Sequence, residues 1–176
     1  MAGTANRWKV VVGAVLIQLC LGAIYAWSVF TPALKDEGGW SKLSTQVVFS
    51  VGLATFAIVM VFAGRKLNVW GPQRLAMMGG ITLGVGYFLA GRGDGMNFFT
   101  VLVGVGLIGG AGIGLAYVVP IAVGMRWFPD HKGMITGAAV AGFGFGALGW
   151  VKLAGSWGQL IDRIGLDGTF MVYGVM

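Results

Sequence analysis

Apolar residues run through this chain in blocks rather than in alternation. Five stretches, about 10–30, 45–63, 71–90, 98–125 and 134–151, consist almost wholly of hydrophobic side chains and glycine, and short polar segments separate them. Each approaches the roughly 20 residues that a helix needs to cross a 30 Å hydrocarbon layer at 1.5 Å per residue. Strand-like alternation is weak, and an open sheet leaves backbone groups unpaired in lipid, so the blocks predict transmembrane helices. Ser44 and Thr45 are placed to cap the second helix, and Pro72 fits the first turn of the third. A sixth block opens near Gly168 and reaches Met176 after about nine residues, too few to cross, so the chain is expected to stop inside its sixth span.

Arg7 and Lys9 precede the first block as they would in a signal peptide. That block is longer than the roughly 7–15 residues of such peptides, and no small-x-small cleavage site follows, so it reads as a retained anchor.

Composition supports the membrane reading: with 57% hydrophobic and only 10% charged residues, the charges are too few to cover a soluble surface. Most of the 33 glycines lie inside the apolar blocks, where close helix packing in lipid favours small residues. A lone Cys20 and a lone His131 build neither a disulfide nor a thiolate metal site, and no metal or cofactor is expected.

The formal charge of +6 suggests nucleic acid only until its location is considered. With the N-terminus inside, the inner segments hold Arg7, Lys9, Arg65, Lys66, Arg74, Arg126 and Lys132 against Asp130. The outer segments hold Lys35, Lys42, Arg92, Lys152 and Arg163 against Asp36, Glu37, Asp94, Asp162 and Asp167. The bias in Lys and Arg agrees with a cytoplasmic N-terminus in a multi-pass protein of the cytoplasmic (inner) cell membrane. The basic excess is topological, and no nucleic-acid partner is expected.

The string "GVGLIG", Gly104 to Gly109, matches a dinucleotide-binding fingerprint letter for letter. It lies inside an apolar span, without the strand before it or the acidic residue about 20 positions after it that the chemistry needs. Gly106, Gly110 and Gly114 instead form a stripe on one helix face, and Ala138, Gly142 and Gly146 repeat it in the fifth helix. Pro120 removes a backbone hydrogen bond within the fourth span, as a hinge or a passive kink. The charged knot "MRWFPDHKG" holds Asp130 beside His131 but no nucleophile to complete a triad, so it reads as a corner.

Between the second and third helices, "AGRKLNVWGPQR" places Gly64, Asn68, Gly71 and Arg74 in the order of the inner-loop signature G-x-x-x-D-R-x-G-R-R of the major facilitator superfamily. With "LGAIYAWSVF" (21–30), "GIGLAYVVP" (112–120), "RWFPDHKG" (126–133) and "TGAAVAGFGFGALGW" (136–150), nearly the whole chain resembles the N-terminal half of an oxalate/formate antiporter-type member of that superfamily. The resemblance implies an all-α integral membrane fold, with this chain as the first six-helix half of a twelve-helix carrier. It also implies alternating access for small organic acids such as oxalate, formate, lactate or pyruvate around a midplane site. The partners implied are the lipid bilayer, an organic anion and a missing C-terminal half.

The chain departs from the pattern in three places. Asn68 and Val69 replace the signature's Asp and Arg, which weakens the charge lock that loop makes in many relatives. Glycine, assigned to Gly106, stands where many relatives carry a fourth-helix arginine, so proton coupling through that residue is unsupported. The fifth helix lacks the Gly-Pro pair of drug antiporters.

Polar groups inside spans are costly in lipid and usually face a cavity or a partner. Gln18 and Tyr25 are seven apart, hence expected on one face with Gly22 between them, and Tyr117 follows Gly114 on the glycine face of the fourth helix. Their amide and phenols suit a carboxylate. The resemblance also favours Tyr25 and Tyr117 as cavity residues. Lys152 is a further candidate for attracting the anion, although beside Trp150 it equally fits a snorkelling lysine in an aromatic belt. Two other readings stay open: a membrane scaffold that carries nothing, or a half-unit that must pair with a second half. An integral-membrane enzyme would need a buried nucleophile or a metal cluster, and the chain offers neither.

Overall fold

A computed structural model describes residues 7–92 and 97–175; Asp94, counted above among the outer charges, and Met176 lie outside the described residues. The described residues form six helices. Helix α1 (Arg7–Asp36), α2 (Lys42–Trp70), α3 (Pro72–Arg92) and α4 (Phe98–Trp127) are followed by a short 3-10 turn, Pro129–His131, then α5 (Lys132–Ala154) and α6 (Leu160–Val175). Five of them are long and apolar enough to cross a membrane.

Several boundaries differ from expectation. Helix α2 opens three residues before Thr45, because the Ser41 hydroxyl accepts the Ser44 amide N–H at 3.0 Å and caps the helix there, in place of Ser44 or Thr45. It also runs on through Arg65 and Lys66 to Trp70, so most of the expected inner loop is helix. Gly71, at φ 79°, a backbone region that side chains with a Cβ rarely enter, makes the turn almost alone before Pro72 opens α3. Helix α6 begins at Leu160 rather than near Gly168. Its first turn carries Asp162 and Arg163, which hid it from a search for apolar runs, and Gly165 (φ 72°) kinks it before the apolar part.

Two helices are internally irregular. Helix α1 is α-helical over Arg7–Leu21 and Trp27–Asp36, but winds as 3-10 helix over Gly22–Ala26. Helix α4 is α-helical over Phe98–Val101 and Gly110–Trp127, with a π-helical stretch between, Leu102–Gly109. Such stretches are rare and often mark functional positions.

Helix α4 packs against α1, α2 and α3; α1 lies along α5, and α3 along α6. Small residues make these approaches close. A Cβ on Gly110 would stand 2.6 Å from the Gly52 carbonyl oxygen of α2, and one on Gly146 would strike the Leu19 carbonyl of α1. A Cβ on Gly114 would meet the Phe56 carbonyl oxygen at 2.8 Å, one on Gly106 that of Val48 at 3.4 Å, and one on Gly142 that of Val15 at 3.3 Å. The two glycine stripes thus face α2 and α1 respectively. Pro120 lies buried within α4, which continues past it to Trp127. Side chains that point outward, such as Ile58, Ile81 and Phe145, are large, apolar and exposed, as a surface solvated by lipid tails allows.

The charged knot is a corner. Helix α4 stops at Trp127; buried Phe128 packs its ring 5.4 Å from Trp8 at the start of α1, with the Arg7 guanidinium 5.3 Å from the same ring.

Candidate functional site

The site grows from the two irregular helices. Tyr25 sits in the 3-10 stretch of α1 and is 43% exposed, so its phenol projects from the bundle rather than into it. Tyr117 is half-buried, one turn before Pro120 on α4. Phe143 of α5 joins them, its ring centre 5.2 Å from that of Tyr25 and 5.0 Å from that of Tyr117, both edge-on. Two residues of α2 close the other side: Phe56 is 5.2 Å from Tyr117, and Phe49 is 6.5 Å from Tyr25. Edge-on contacts between aromatic rings add directional stability to apolar burial and hold the phenols in place.

From Tyr25 a cleft of about 300 Å³ extends along Trp27, Ser28, Thr31, Gln46 and Phe49. Part of its polar lining is already engaged: the Trp27 indole donates to the Thr45 carbonyl at 3.0 Å, and the Thr31 hydroxyl to the Trp27 carbonyl at 3.4 Å. The cleft therefore combines aromatic walls with hydrogen-bonding groups and holds no charged side chain. Such a surface suits a small polar solute held by neutral donors.

Gln18 does not share this face. It is completely buried, its side-chain N–H donates to the main-chain carbonyl of Tyr117 at 3.3 Å, and its Oε1 is buried with no hydrogen-bond partner. The 3-10 stretch explains the difference. Each of its residues turns about 120° instead of 100°, so Tyr25 ends up roughly 60° to 80° further round than a uniform helix would place it. The seven-residue spacing that aligns two side chains on an α-helix does not align these. An unpaired buried acceptor costs roughly 1–3 kcal/mol, so the amide's position calls for explanation.

Lys152 also lies apart from the tyrosines. It is exposed in the last turn of α5, with its ammonium 5.8 Å from the centre of the Trp157 ring. Its neighbour Trp150 is tied into the bundle. The Trp150 indole donates to the Leu19 carbonyl at 3.0 Å, and the Trp150 carbonyl accepts the Tyr173 hydroxyl at 2.6 Å.

At the C-terminal end of α2, Gly64 and Asn68 occupy the last turns of the helix, Gly71 the turn and Arg74 the start of α3. The side-chain oxygen of Asn68 accepts a hydrogen bond from the Arg126 guanidinium at the end of α4. The contact between these helix ends is thus made with a neutral acceptor. A Cβ on Gly106 would meet the α2 backbone at ordinary van der Waals distance. Among the described residues no cluster of three His, Cys, Asp or Glu side chains is placed to hold a metal ion.

The reading of the sequence missed Phe49, Phe56 and Phe143, which are ordinary apolar residues in apolar runs and carry no local signal. It also missed Ser28 and Gln46, whose signal was available: both are polar residues inside apolar blocks, 10–30 and 45–63.

Comparison with known proteins identifies the family. The family model described as Major Facilitator Superfamily matches residues 11–176. Over 176 residues the chain is 34% identical to the uncharacterized MFS-type transporter YhjX of Escherichia coli (strain K12), covering 97% of this chain and 41% of that protein. It is 28% identical over 172 residues to the oxalate:formate antiporter of Oxalobacter formigenes, covering 97% of this chain and 40% of the antiporter. It is also 33% identical over 188 residues to apicoplast pyruvate carrier 1 of Toxoplasma gondii, with 81% of this chain and 34% of the carrier aligned. The chain spans about two fifths or less of the length of these relatives. A family model matched over nearly the whole chain, on a bundle of membrane-crossing helices, makes this a multi-pass membrane protein belonging to the Major Facilitator Superfamily of transporters.

Proposed function

We propose that this chain forms the substrate-facing N-terminal half of a secondary carrier for small mono- or dicarboxylates. The observation that carries the reading is the uncharged aromatic face on which Tyr25, Phe143 and Tyr117 pack edge-on, with the Tyr25 phenol exposed at its edge. Relatives named as an oxalate:formate antiporter and a pyruvate carrier support the substrate class. Phenol donors from α1 and α4 hold the carboxylate, and a second six-helix half supplies the opposite wall and its basic residues. Transport follows from rocking of the two halves about this site, in the cell membrane with the N-terminus in the cytoplasm.

Counterflow of labelled oxalate, formate, lactate and pyruvate in liposomes tests the substrate class, and no flux with any of them would refute it. Tyr25→Phe and Tyr117→Phe are each expected to lower uptake about tenfold without lowering membrane abundance. A hydrogen bond to a charged group contributes roughly 1.5–3 kcal/mol, and about 1.4 kcal/mol is one factor of ten. Unchanged uptake would remove that tyrosine from the site.

A further inference from the structure

Gln18 is buried in the membrane, polar, and only half satisfied. Its amide reaches from α1 to the main-chain carbonyl of Tyr117 on α4. On its other side it backs onto α5, where a Cβ on Gly142 would lie 3.4 Å from the Cβ of Gln18. Gly142 is followed directly by Phe143, whose ring holds both Tyr25 and Tyr117. One side chain therefore sits behind all three helices that carry the aromatic face, without reaching that face itself.

A leucine or methionine would fill the same space without an unpaired oxygen, so packing alone does not account for a glutamine here. Nor is it a substrate contact in this conformation, because it is fully buried. What the amide does uniquely is grip the backbone of α4 at Tyr117, three residues before Pro120. Proline has no N–H to give the Ala116 carbonyl, so the turn that holds Tyr117 lacks one of its backbone hydrogen bonds. The unpaired Oε1 means that the grip is incomplete, and a latch with an unmet acceptor releases more readily than a fully paired one.

We propose that Gln18 is a positioning residue: a releasable hydrogen-bond latch between α1 and α4 that sets where Tyr117 stands on the substrate face. This rests on the carboxylate-carrier reading for its transport readout. The prediction is a split between affinity and abundance. Gln18→Met removes both the bond and the unpaired oxygen while keeping an unbranched side chain of similar size. It is expected to raise the transport KM about threefold or more, with membrane abundance and thermal stability close to wild type.

Gln18→Glu supplies the conservative control. A carboxyl group donates to the Tyr117 carbonyl only while protonated, and as a carboxylate it faces that carbonyl with like charge. Relative to wild type at each pH, the KM of Gln18→Glu is expected to be near normal in acid and to rise towards alkaline pH. The titratable groups near this position are the thiol of Cys20 and the phenol of Tyr25 on α1 and the phenol of Tyr117 on α4; α5 presents Gly142 and Phe143, and Lys9 of α1 lies nine residues before Gln18. The charged residues of α4 and α5, Arg126, Lys132 and Lys152, are at least nine residues along the helices, roughly 14 Å away.

The experiment measures carboxylate counterflow in liposomes for wild type, Gln18→Met and Gln18→Glu between about pH 5.5 and 8.5, a range that spans protonation of a buried carboxyl. Raised KM with preserved abundance, together with the pH-dependent rescue, supports the latch. Lowered abundance with unchanged KM makes Gln18 a packing residue and overturns the proposal, as does the absence of any effect. If Gln18→Met fails to accumulate, the pH series of Gln18→Glu decides alone. If wild type carries none of the four anions, the substrate reading fails separately. The latch is then judged by amide hydrogen exchange, where faster exchange in α4 around Tyr117 in Gln18→Met supports it and unchanged exchange refutes it.

Discussion

Asn68 joins two helix ends of the bundle through a single side chain. Its oxygen accepts from the Arg126 guanidinium, tying the end of α2 to the end of α4. The guanidinium charge already assists this bond; a carboxylate acceptor would add attraction between full charges, but exposed ion pairs are worth only about 0.2–1 kcal/mol once solvent and salt screen them. Asn68→Asp is therefore expected to raise thermal stability slightly and to slow turnover by about fivefold at most, with both effects shrinking at high salt. Melting and counterflow measured at low and high ionic strength check this, and a salt-independent change would rule the ion pair out. The tyrosines illustrate a different point. Tyr25 and Tyr117 were legible because a hydroxyl inside an apolar block is conspicuous, whereas Phe143, which joins them, looks like any other apolar residue. Gln18 was equally conspicuous but misplaced, since its partner is a backbone carbonyl and no side-chain pattern announces one.

Among the elements, the glycine stripes decide how closely the helices approach. Gly146 leaves no space for a Cβ beside the Leu19 carbonyl, whereas a Cβ on Gly144, two residues earlier on α5, meets nothing within 4 Å. Gly146→Val is expected to lower thermal stability by about 1–3 kcal/mol through forced separation of α1 and α5. Gly144→Ala is expected to leave it unchanged. Comparable losses in both variants, read by thermal denaturation in detergent, would show that the stripe does not set this packing. The helices themselves were legible because lipid demands a long apolar run for each crossing. Their ends were not. Beyond the hydrocarbon layer a helix stops where capping stops it, as at Ser41 and Gly71, and the polar opening of α6 fell below the threshold of an apolar search. The 3-10 and π-helical stretches were also invisible, because a uniformly apolar sequence carries no phase from which a change of winding can be read.

For the whole molecule, orientation is the property with the widest consequences. We propose that the N-terminus lies in the cytoplasm, because Arg65 and Lys66 near the end of α2 and Arg126 and Lys132 around the α4–α5 corner stand against segments of balanced charge at the other end. With Cys20 replaced by serine, a cysteine at Lys35 is expected to react with a membrane-impermeant thiol reagent from outside. One at Lys132 is expected to react only after permeabilisation; the opposite pattern would invert the topology. The 3-10 stretch of α1 adds a further dimension. Five residues rising about 2.0 Å each instead of 1.5 Å lift everything beyond Ala26 by roughly 2.5 Å along the helix axis. The axial position of everything in α1 beyond Ala26, including Trp27 and Ser28 of the cleft, is set by local winding as well as by residue count.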